Sequence, residues 1–184
     1  MKLSSPRVPP SEAGDWEDEQ KELMAKLEQG VGTVNVMRTM VRHPKLLKRW
    51  LPFTNHILFK STLSEHDREI LILRTAWVTK SEYEWGQHVI IARERGLDDA
   101  EIERVSKGAE AEGWRELDRA LIRAVDELDG ASFISDATWQ ALNAHLSEQQ
   151  VMDVIMTVGN YRMLAGLINS AGVQLDPGVP GFPK

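Results

Sequence analysis

Three side chains that can hold and transfer protons have spacings that would bring them together. Glu84 and His88 are four residues apart, so on a helix they share one face. Glu69 precedes a turn at Lys80 by eleven residues, and His88 follows that turn by eight. On two antiparallel helices these separations correspond to about 16 Å and 12 Å from the turn. The spacing therefore predicts one acid/base cluster.

Two carboxylates beside one imidazole are suited to general acid and base catalysis. A glutamate that hydrogen-bonds a histidine fixes its tautomer and raises its basicity, while a second glutamate in an apolar pocket can keep its proton. We therefore expect Glu69, Glu84 and His88 to be catalytic. The same residues also fit an exposed Glu–His pair beside an unrelated glutamate, because such pairs are common on helix surfaces.

A metal centre is the other chemistry that two carboxylates and a histidine could serve. The spacing here is Glu-x-x-x-His, whereas bundle di-iron sites use Glu-x-x-His, and a second histidine is lacking. We therefore predict that these residues hold no metal.

The elements that must position the cluster are two consecutive helices. Ser64 followed by acidic residues is typical of an N-cap and predicts a helix over 65–78 that is apolar on most faces. Ser81 is predicted to cap a second helix over 82–95, which Gly96 would end. The two helices would form an antiparallel pair.

Helical periodicity extends over most of the chain, and strand signals are weak. Residues 11–172 are therefore predicted to form a single all-α domain. Residues 1–10 contain three prolines and are predicted to form a flexible arm. Residues 173–184 contain three prolines and two glycines, so we expect an extended tail that packs on the domain.

The composition excludes several classes of function. The 184-residue chain has a formal net charge of −6 and no Lys/Arg run, which argues against nucleic-acid binding. Zero cysteines exclude disulfides, thiolate metal sites and thiol nucleophiles. The N-terminus lacks the apolar segment of a signal peptide, and no uninterrupted apolar run approaches the about 20 residues of a membrane helix. We expect a cytoplasmic protein with no membrane partner.

The segment 71–88 resembles the carboxymuconolactone decarboxylase family, which shares its fold with the alkylhydroperoxidase D (AhpD) proteins. The peroxidase branch carries a Glu, eleven residues, Cys-x-x-Cys, three residues and a His. The same frame here reads Glu69, eleven residues, Ser81, two residues, Glu84, three residues and His88. Because neither serine nor glutamate can form a disulfide, the resemblance implies an AhpD-like helical bundle without peroxidase chemistry.

The family's named reaction converts a carboxylated butenolide into its decarboxylated enol-lactone without a metal or an organic cofactor. The resemblance therefore implies a cofactor-free carboxy-lyase acting on a small carboxylated lactone or a related intermediate of aromatic catabolism. His88 would donate the proton, Glu69 would orient it, and Glu84 would lie against the substrate. The candidate substrate-binding residues are His56, Arg74, Ser81, Tyr83, Trp85 and Arg162.

Several alternatives stay open. An isomerisation, a hydration or another C–C cleavage could use the same three residues, and a non-catalytic oligomeric binding protein could retain the fold. His56 could be a packed or capping residue, Arg74 could pair with an acid, and Tyr161 could either donate to the site or simply pack. The helix over 65–78 is apolar on too many faces for a small monomer, so we expect a homo-oligomer. The family implies a trimer or a hexamer.

Overall fold

The computed structural model describes residues 3–30 and 32–183, and these form an all-α fold, as predicted. The parts of the predictions that concern Met1, Lys2, Val31 and Lys184 lie outside these ranges. A short 3-10 turn at Ala13–Asp15 precedes the first helix. The nine α-helices of the described ranges are α1 (Asp18–Glu28), α2 (Asn35–Met40), α3 (Pro44–Phe59), α4 (Glu65–Val78), α5 (Glu82–Glu94), α6 (Asp99–Lys107), α7 (Glu116–Ala131), α8 (Asp136–Asn143) and α9 (Glu148–Ala171).

Helix α4 lies at the centre of the fold. It packs against α5, α6, α7 and α9, and four consecutive residues, Ile70, Leu71, Ile72 and Leu73, are fully buried. Consecutive residues of a helix are buried together only when all of its faces are covered. Helices of the same chain therefore account for the apolar character of α4, and no second subunit is needed to explain it.

The N-cap predictions for α4 and α5 had different outcomes. Ser64 accepts a hydrogen bond from the backbone N–H of Asp67 at 3.1 Å, as predicted. Ser81 occupies the N-cap position of α5, but its hydroxyl makes no capping hydrogen bond, so that prediction was wrong. The backbone is the reason, because the ψ angle of Ser81 is 84°, whereas that of Ser64 is 153°.

Helix α9 is long and apolar because it is a core helix. Among the helices of the described ranges, it is the one whose length and composition would allow it to cross a membrane. Half of its most apolar 18-residue segment is buried inside the fold. Val151, Val154, Val158 and Ile168 are among its buried residues. Burial against the neighbouring helices accounts for these apolar residues.

The C-terminal tail that follows α9 lies against α5 and the end of α4. The carbonyl of Pro180 is so close to Gly86 that any Cβ at that position would collide with it. The ring of Phe182 packs on Trp77 and Trp85, with centroid distances of 5.1 and 5.7 Å. Glycine at position 86 is thus required for the close approach of the tail.

The residues before α1 are hydrogen-bonded to the body of the protein. The backbone N–H groups of Arg7 and Val8 donate to the carbonyl of Ala171 at 2.8 and 3.1 Å. The Nε of Arg42 donates to the carbonyl of Pro9 at 2.6 Å. The division of the chain into an arm (1–10), a domain (11–172) and a tail (173–184) stays a prediction.

Replacing Gly86 with alanine should lower the free energy of unfolding by about 1–3 kcal/mol, because the added methyl group must displace the backbone of Pro180. Urea denaturation measures the change. Gly130→Ala is the matched control, since it lies in helix α7 and its added Cβ would meet nothing within 4 Å. We expect the control to keep or gain stability. Equal stabilities of the two variants would contradict the close seating of the tail on α5.

Candidate active site

Glu69 and His88 are in direct contact between α4 and α5. The Nδ1 atom of His88 lies 2.7 Å from Oε2 of Glu69, and both side chains are buried. The Glu69 carboxylate also accepts a hydrogen bond from the Nε of Arg68 at 3.3 Å. Arg68 already donates to this carboxyl group, so the contact is a hydrogen bond when Nδ1 of His88 carries the proton and donates it to Glu69. The Nε2 atom of His88 is then left to accept a proton from elsewhere.

The carboxyl group of Glu84 is unpaired within the part of the chain that the structure describes. Its side chain is buried, and neither oxygen is hydrogen-bonded to any residue in the described part of the chain. Burial raises the pKa of Glu84 well above its ordinary value of 4.5. The nearby hydroxyl of Ser81 opposes this rise, although it does not have the geometry of a hydrogen bond to Glu84. Glu84 therefore keeps its proton well above pH 4.5. Unpaired buried polar groups are rare in folded proteins, so this one marks Glu84 as a candidate functional residue.

Glu69, Glu84 and His88 all border one cavity of about 300 Å³. The edge of the Tyr161 ring meets the His88 ring, with centroids 5.0 Å apart. A cavity of this size and character fits a small organic molecule. The apolar part of its wall is formed by Val34, Val36, Met37, Trp50, Leu58, Phe59, Ile91, Leu164 and Ile168.

Tyr83 links the wall of the cavity to the C-terminal tail. Its hydroxyl donates to Oδ2 of Asp176 at 2.6 Å and accepts from the backbone N–H of Val36 at 3.1 Å. The side-chain amide of Gln87 donates to the same oxygen of Asp176 at 2.7 Å. Burial, together with Asp176, raises the pKa of Tyr83 above its ordinary range. The ring of Tyr83 borders the cavity, but its hydroxyl is already engaged.

The structure does not bring the other predicted substrate-binding residues to the cavity. Ser81 is fully buried outside it, and Trp85 packs against Trp77 with a centroid distance of 5.4 Å. The three predicted cationic groups each contact an acid that does not border the cavity: His56 contacts Asp153 at 3.4 Å, Arg74 contacts Asp126 at 2.7 Å and Arg162 contacts Asp129 at 3.0 Å.

Arg68 borders the cavity and was missed in the sequence analysis. Its side chain is buried, whereas Arg95, the other arginine of the cavity wall, is exposed and lies 3.4 Å from Glu65. Apart from the bond from Nε to Glu69, the nearest acid to its guanidinium is Glu65, at 4.0 Å. One signal was available, because Arg68 directly precedes Glu69 and lies one turn before Ile72, which is fully buried.

A set of side chains with metal-ligating atoms lies elsewhere and already holds a cation. Residues 3–30 and 32–183 contain one such set of three whose ligand atoms lie within 4.8 Å of one another. It consists of His66, Asp67 and Asp118. Nη2 of Arg115 lies 2.6 Å from Asp118, 3.0 Å from His66 and 3.3 Å from Asp67. A guanidinium thus holds the three groups, which form a salt-bridge network.

The segment that carries the acid/base cluster matches a known family. Residues 44–127 match the sequence profile of the carboxymuconolactone decarboxylase family. Over this segment the chain is similar to that family. The matched range includes Glu69, Glu84 and His88, and the resemblance of the frame around them is confirmed. No curated protein matches the chain at a significant level.

Similar solved structures share the fold over nearly the whole chain. An uncharacterized peroxidase-related protein from Ralstonia eutropha, described as an alkylhydroperoxidase AhpD core, has a TM-score of 0.81 at 17% identity over 94% of this chain and 93% of its own. A peroxidase-related protein from Silicibacter has a TM-score of 0.81 at 14% identity, covering 96% and 97%. The debrominase Bmp8 has a TM-score of 0.76 at 14% identity, covering 92% of both chains. Identities this low establish the AhpD-like fold alone.

Proposed function

We propose that the protein is a lyase of the carboxymuconolactone decarboxylase type, which removes a carboxylate from a small lactone by acid/base chemistry without a cofactor. The observation that carries the proposal is the carboxyl group of Glu84. Both of its oxygens are buried and have no partner in the described part of the chain, and Glu84 is one of the residues that border the same cavity as the Glu69–His88 pair. The cavity, about 300 Å³ in volume, has room for one small ring.

In this reaction the bond between a ring carbon and the carboxylate breaks, and CO₂ leaves. The electron pair moves through the ring to the lactone carbonyl oxygen, and a proton is then delivered to carbon. We assign that delivery to Glu84, because its raised pKa keeps the carboxyl group protonated. His88, oriented by Glu69, would take up a proton from solvent at Nε2 and pass it to Glu84, which restores the acid for the next turnover. Glu84 thus takes the place of His88, which was predicted from the sequence to be the direct donor.

Arg68 takes the role that the sequence analysis gave to Arg74 and Arg162. An anionic substrate needs a cation in the cavity, and Arg74 and Arg162 are each paired with an aspartate elsewhere. Arg68 is the buried arginine of the cavity wall. Charge-assisted hydrogen bonds from its guanidinium can hold a carboxylate or an oxyanion.

Turnover of a γ-carboxylated butenolide, followed by CO₂ release, tests the proposed function. We expect His88→Ala to lower kcat by about 100- to 10,000-fold, which is the range for general acid–base catalysis. Glu103→Gln is the control, because Glu103 is exposed and lies 2.8 Å from Lys107, away from the cavity. A wild-type rate for His88→Ala, or no turnover by the wild-type protein, would overturn the assignment.

Another proton-transfer reaction is the second candidate, because the same three residues would serve an isomerase, a hydratase or a different C–C lyase. The debrominase Bmp8, whose cysteine-to-alanine variant was solved with 2,3,4-tribromopyrrole, supports the idea that this fold accommodates small rings. Proton exchange of candidate lactones and ketones in D₂O, followed by NMR, separates the possibilities. Exchange without CO₂ release would favour such an enzyme, and binding without either would favour a binding protein.

We also propose that the chain forms a homo-oligomer through α9. Met152, Met156, Met163 and Leu167 are each at least 37% exposed. Their successive spacings of four, seven and four residues place them on one face of the helix. An exposed apolar strip of this kind is typical of a contact surface between proteins. The family resemblance favours a trimer or a hexamer.

The double substitution Met156→Glu/Met163→Glu should convert the oligomer to a monomer, because four carboxylates or more would be buried together at each contact between copies. Light scattering coupled to size-exclusion chromatography measures the mass. Phe133→Glu is the matched control, since Phe133 is an exposed apolar residue outside α9. A monomeric wild-type protein, or an unchanged mass in the double variant, would contradict the proposed contact.

A further inference from the structure

Tyr161 is a buried tyrosine with no role in the proton transfers proposed above. It lies on α9, borders the cavity and contacts the ring of His88 by its edge. Its hydroxyl makes no hydrogen bond to any residue of the ranges 3–30 and 32–183. A buried tyrosine hydroxyl usually finds a partner, so its lack of one indicates that a ligand supplies the acceptor.

Arg68 has unused donors on the same cavity. Its Nε donates to Glu69, and the closest approach of its Nη2 to another acid is 4.0 Å, at Glu65. The Nη atoms therefore make no hydrogen bond within the part of the chain that the structure describes. A guanidinium has five N–H donors, so most of those of Arg68 are free for a ligand.

The other polar groups of the buried wall are engaged within the protein. The hydroxyl of Tyr83 and the amide of Gln87 both donate to Asp176. The indole N–H of Trp50 donates to Asn160 at 2.9 Å. Among the described residues, the hydroxyl of Tyr161 and the Nη groups of Arg68 are thus groups of the buried wall that form no hydrogen bond within the protein, besides the carboxyl group of Glu84.

We propose that Tyr161 is a catalytic residue that, together with Arg68, donates hydrogen bonds to the oxyanion formed on the substrate's carbonyl oxygen. The substrate class is then small carbonyl compounds, lactones or ketones, whose reacting carbon gives a conjugated enolate. This inference rests on the proposed function and specifies the substrate of the same site. Donors placed where negative charge develops are a main source of catalytic rate in such reactions.

The chemistry requires Tyr161 to share its proton without releasing it. When the C–C bond breaks, the electron pair ends on the carbonyl oxygen, and CO₂ is the leaving group. The proton that later reaches carbon comes from Glu84, so Tyr161 is unchanged over the cycle. Burial, with Glu69 and Glu84 nearby, raises the pKa of Tyr161 well above its ordinary value, which keeps the hydroxyl protonated.

Binding of para-nitrophenol tests the oxyanion site without relying on turnover. The probe is small and flat, and its absorbance distinguishes the phenol from the phenolate. We expect the wild-type protein to bind the phenolate and to lower the pKa of the bound probe below that of the free one. Tyr161→Phe and Arg68→Met should each weaken phenolate binding by about 10- to 100-fold. Arg74→Met is the matched control and should bind as the wild type does, because Arg74 is paired with Asp126 outside the cavity.

Kinetics on the γ-carboxylated butenolide give the second measurement. Tyr161→Phe should lower kcat by about 100-fold with little change in KM, as expected for a donor that acts on the transition state. Phenylalanine keeps the ring that packs on His88, and circular dichroism checks that the variant is folded. Failure of the wild-type protein to bind para-nitrophenolate, or wild-type binding by Tyr161→Phe, would overturn the oxyanion site.

The two proposals fail in different ways. If the wild-type protein does not decarboxylate the butenolide, yet phenolate binding depends on Tyr161 and Arg68, the proposed function is wrong and the oxyanion site is supported. If the wild-type protein is active and Tyr161→Phe has the same kcat, the function stands and the oxyanion site is wrong.

Discussion

Glu84→Gln should remove most of the activity while making the protein more stable at neutral pH. Glutamine has nearly the same shape as a protonated glutamate, but it cannot deliver a proton. We therefore expect kcat on the γ-carboxylated butenolide to fall by about 100- to 10,000-fold. The gain in stability has a separate cause, which is the raised pKa of the buried carboxyl group.

The pH dependence of the free energy of unfolding separates the effect of the raised pKa of Glu84 from other effects of the substitution. Below the ordinary value of 4.5, Glu84 is protonated in both the folded and the unfolded chain. Above it the unfolded chain releases the proton and the folded chain keeps it, so the unfolded state is favoured increasingly as the pH rises. This contribution amounts to about 1.4 kcal/mol per pH unit until the pH reaches the folded-state pKa.

Urea denaturation of the wild type and of Glu84→Gln at several pH values measures this contribution. The stability of the variant relative to the wild type should grow as the pH rises above 4.5. Glu112→Gln, at an exposed glutamate, is the control for the loss of one carboxylate. A stability difference that does not change with pH would show that Glu84 is not held protonated in the folded protein.

Glu69→Ala should destabilise the protein by about 3–5 kcal/mol, because it leaves the buried guanidinium of Arg68 without its carboxylate. It also removes the acceptor for Nδ1 of His88, which lies 2.7 Å away. Thermal and urea denaturation measure the loss. We expect activity to fall as well, because His88 would no longer be held in one tautomer.

The double variant Arg68→Met/Glu69→Leu supplies the control for this prediction. Removing both charges leaves no unpaired ion, so its loss of stability should be smaller than that of Glu69→Ala. A double-mutant cycle with Arg68→Met then gives the coupling between the two side chains. If the single and the double variants are equally unstable, the pairing of Arg68 with Glu69 does not explain the effect.

The helices and the Glu69–His88 contact could be predicted because their signals are local. The Ser64 cap and the i, i+4 spacing of Glu84 and His88 depend on residues within one or two turns. The reach from Glu69 to His88 depends only on a short turn between two helices of known rise. Ser81 departed from this pattern, because the backbone of the tight α4–α5 turn gives it an unsuitable ψ angle.

The cationic residues of the site could not be predicted in the same way. Arg68 and Arg74 are on the same helix, and six residues at 100° each place them about 120° apart around its axis. Because α4 is buried on all sides, its sequence periodicity does not distinguish the face that meets the cavity from the face that meets α7. Asp126, which holds Arg74, is 52 residues away in the chain.

The amino-acid sequence was therefore sufficient for the all-α fold, for the resemblance to the family and for the contact between Glu69 and His88, because short-range spacing and helix geometry control them. The tertiary structure alone revealed the cavity, the unpaired carboxyl group of Glu84 and the free donors of Arg68 and Tyr161. Whether a polar group is buried and whether it has a partner depend on helices distant in the chain. The chemistry of the site depends on those two properties.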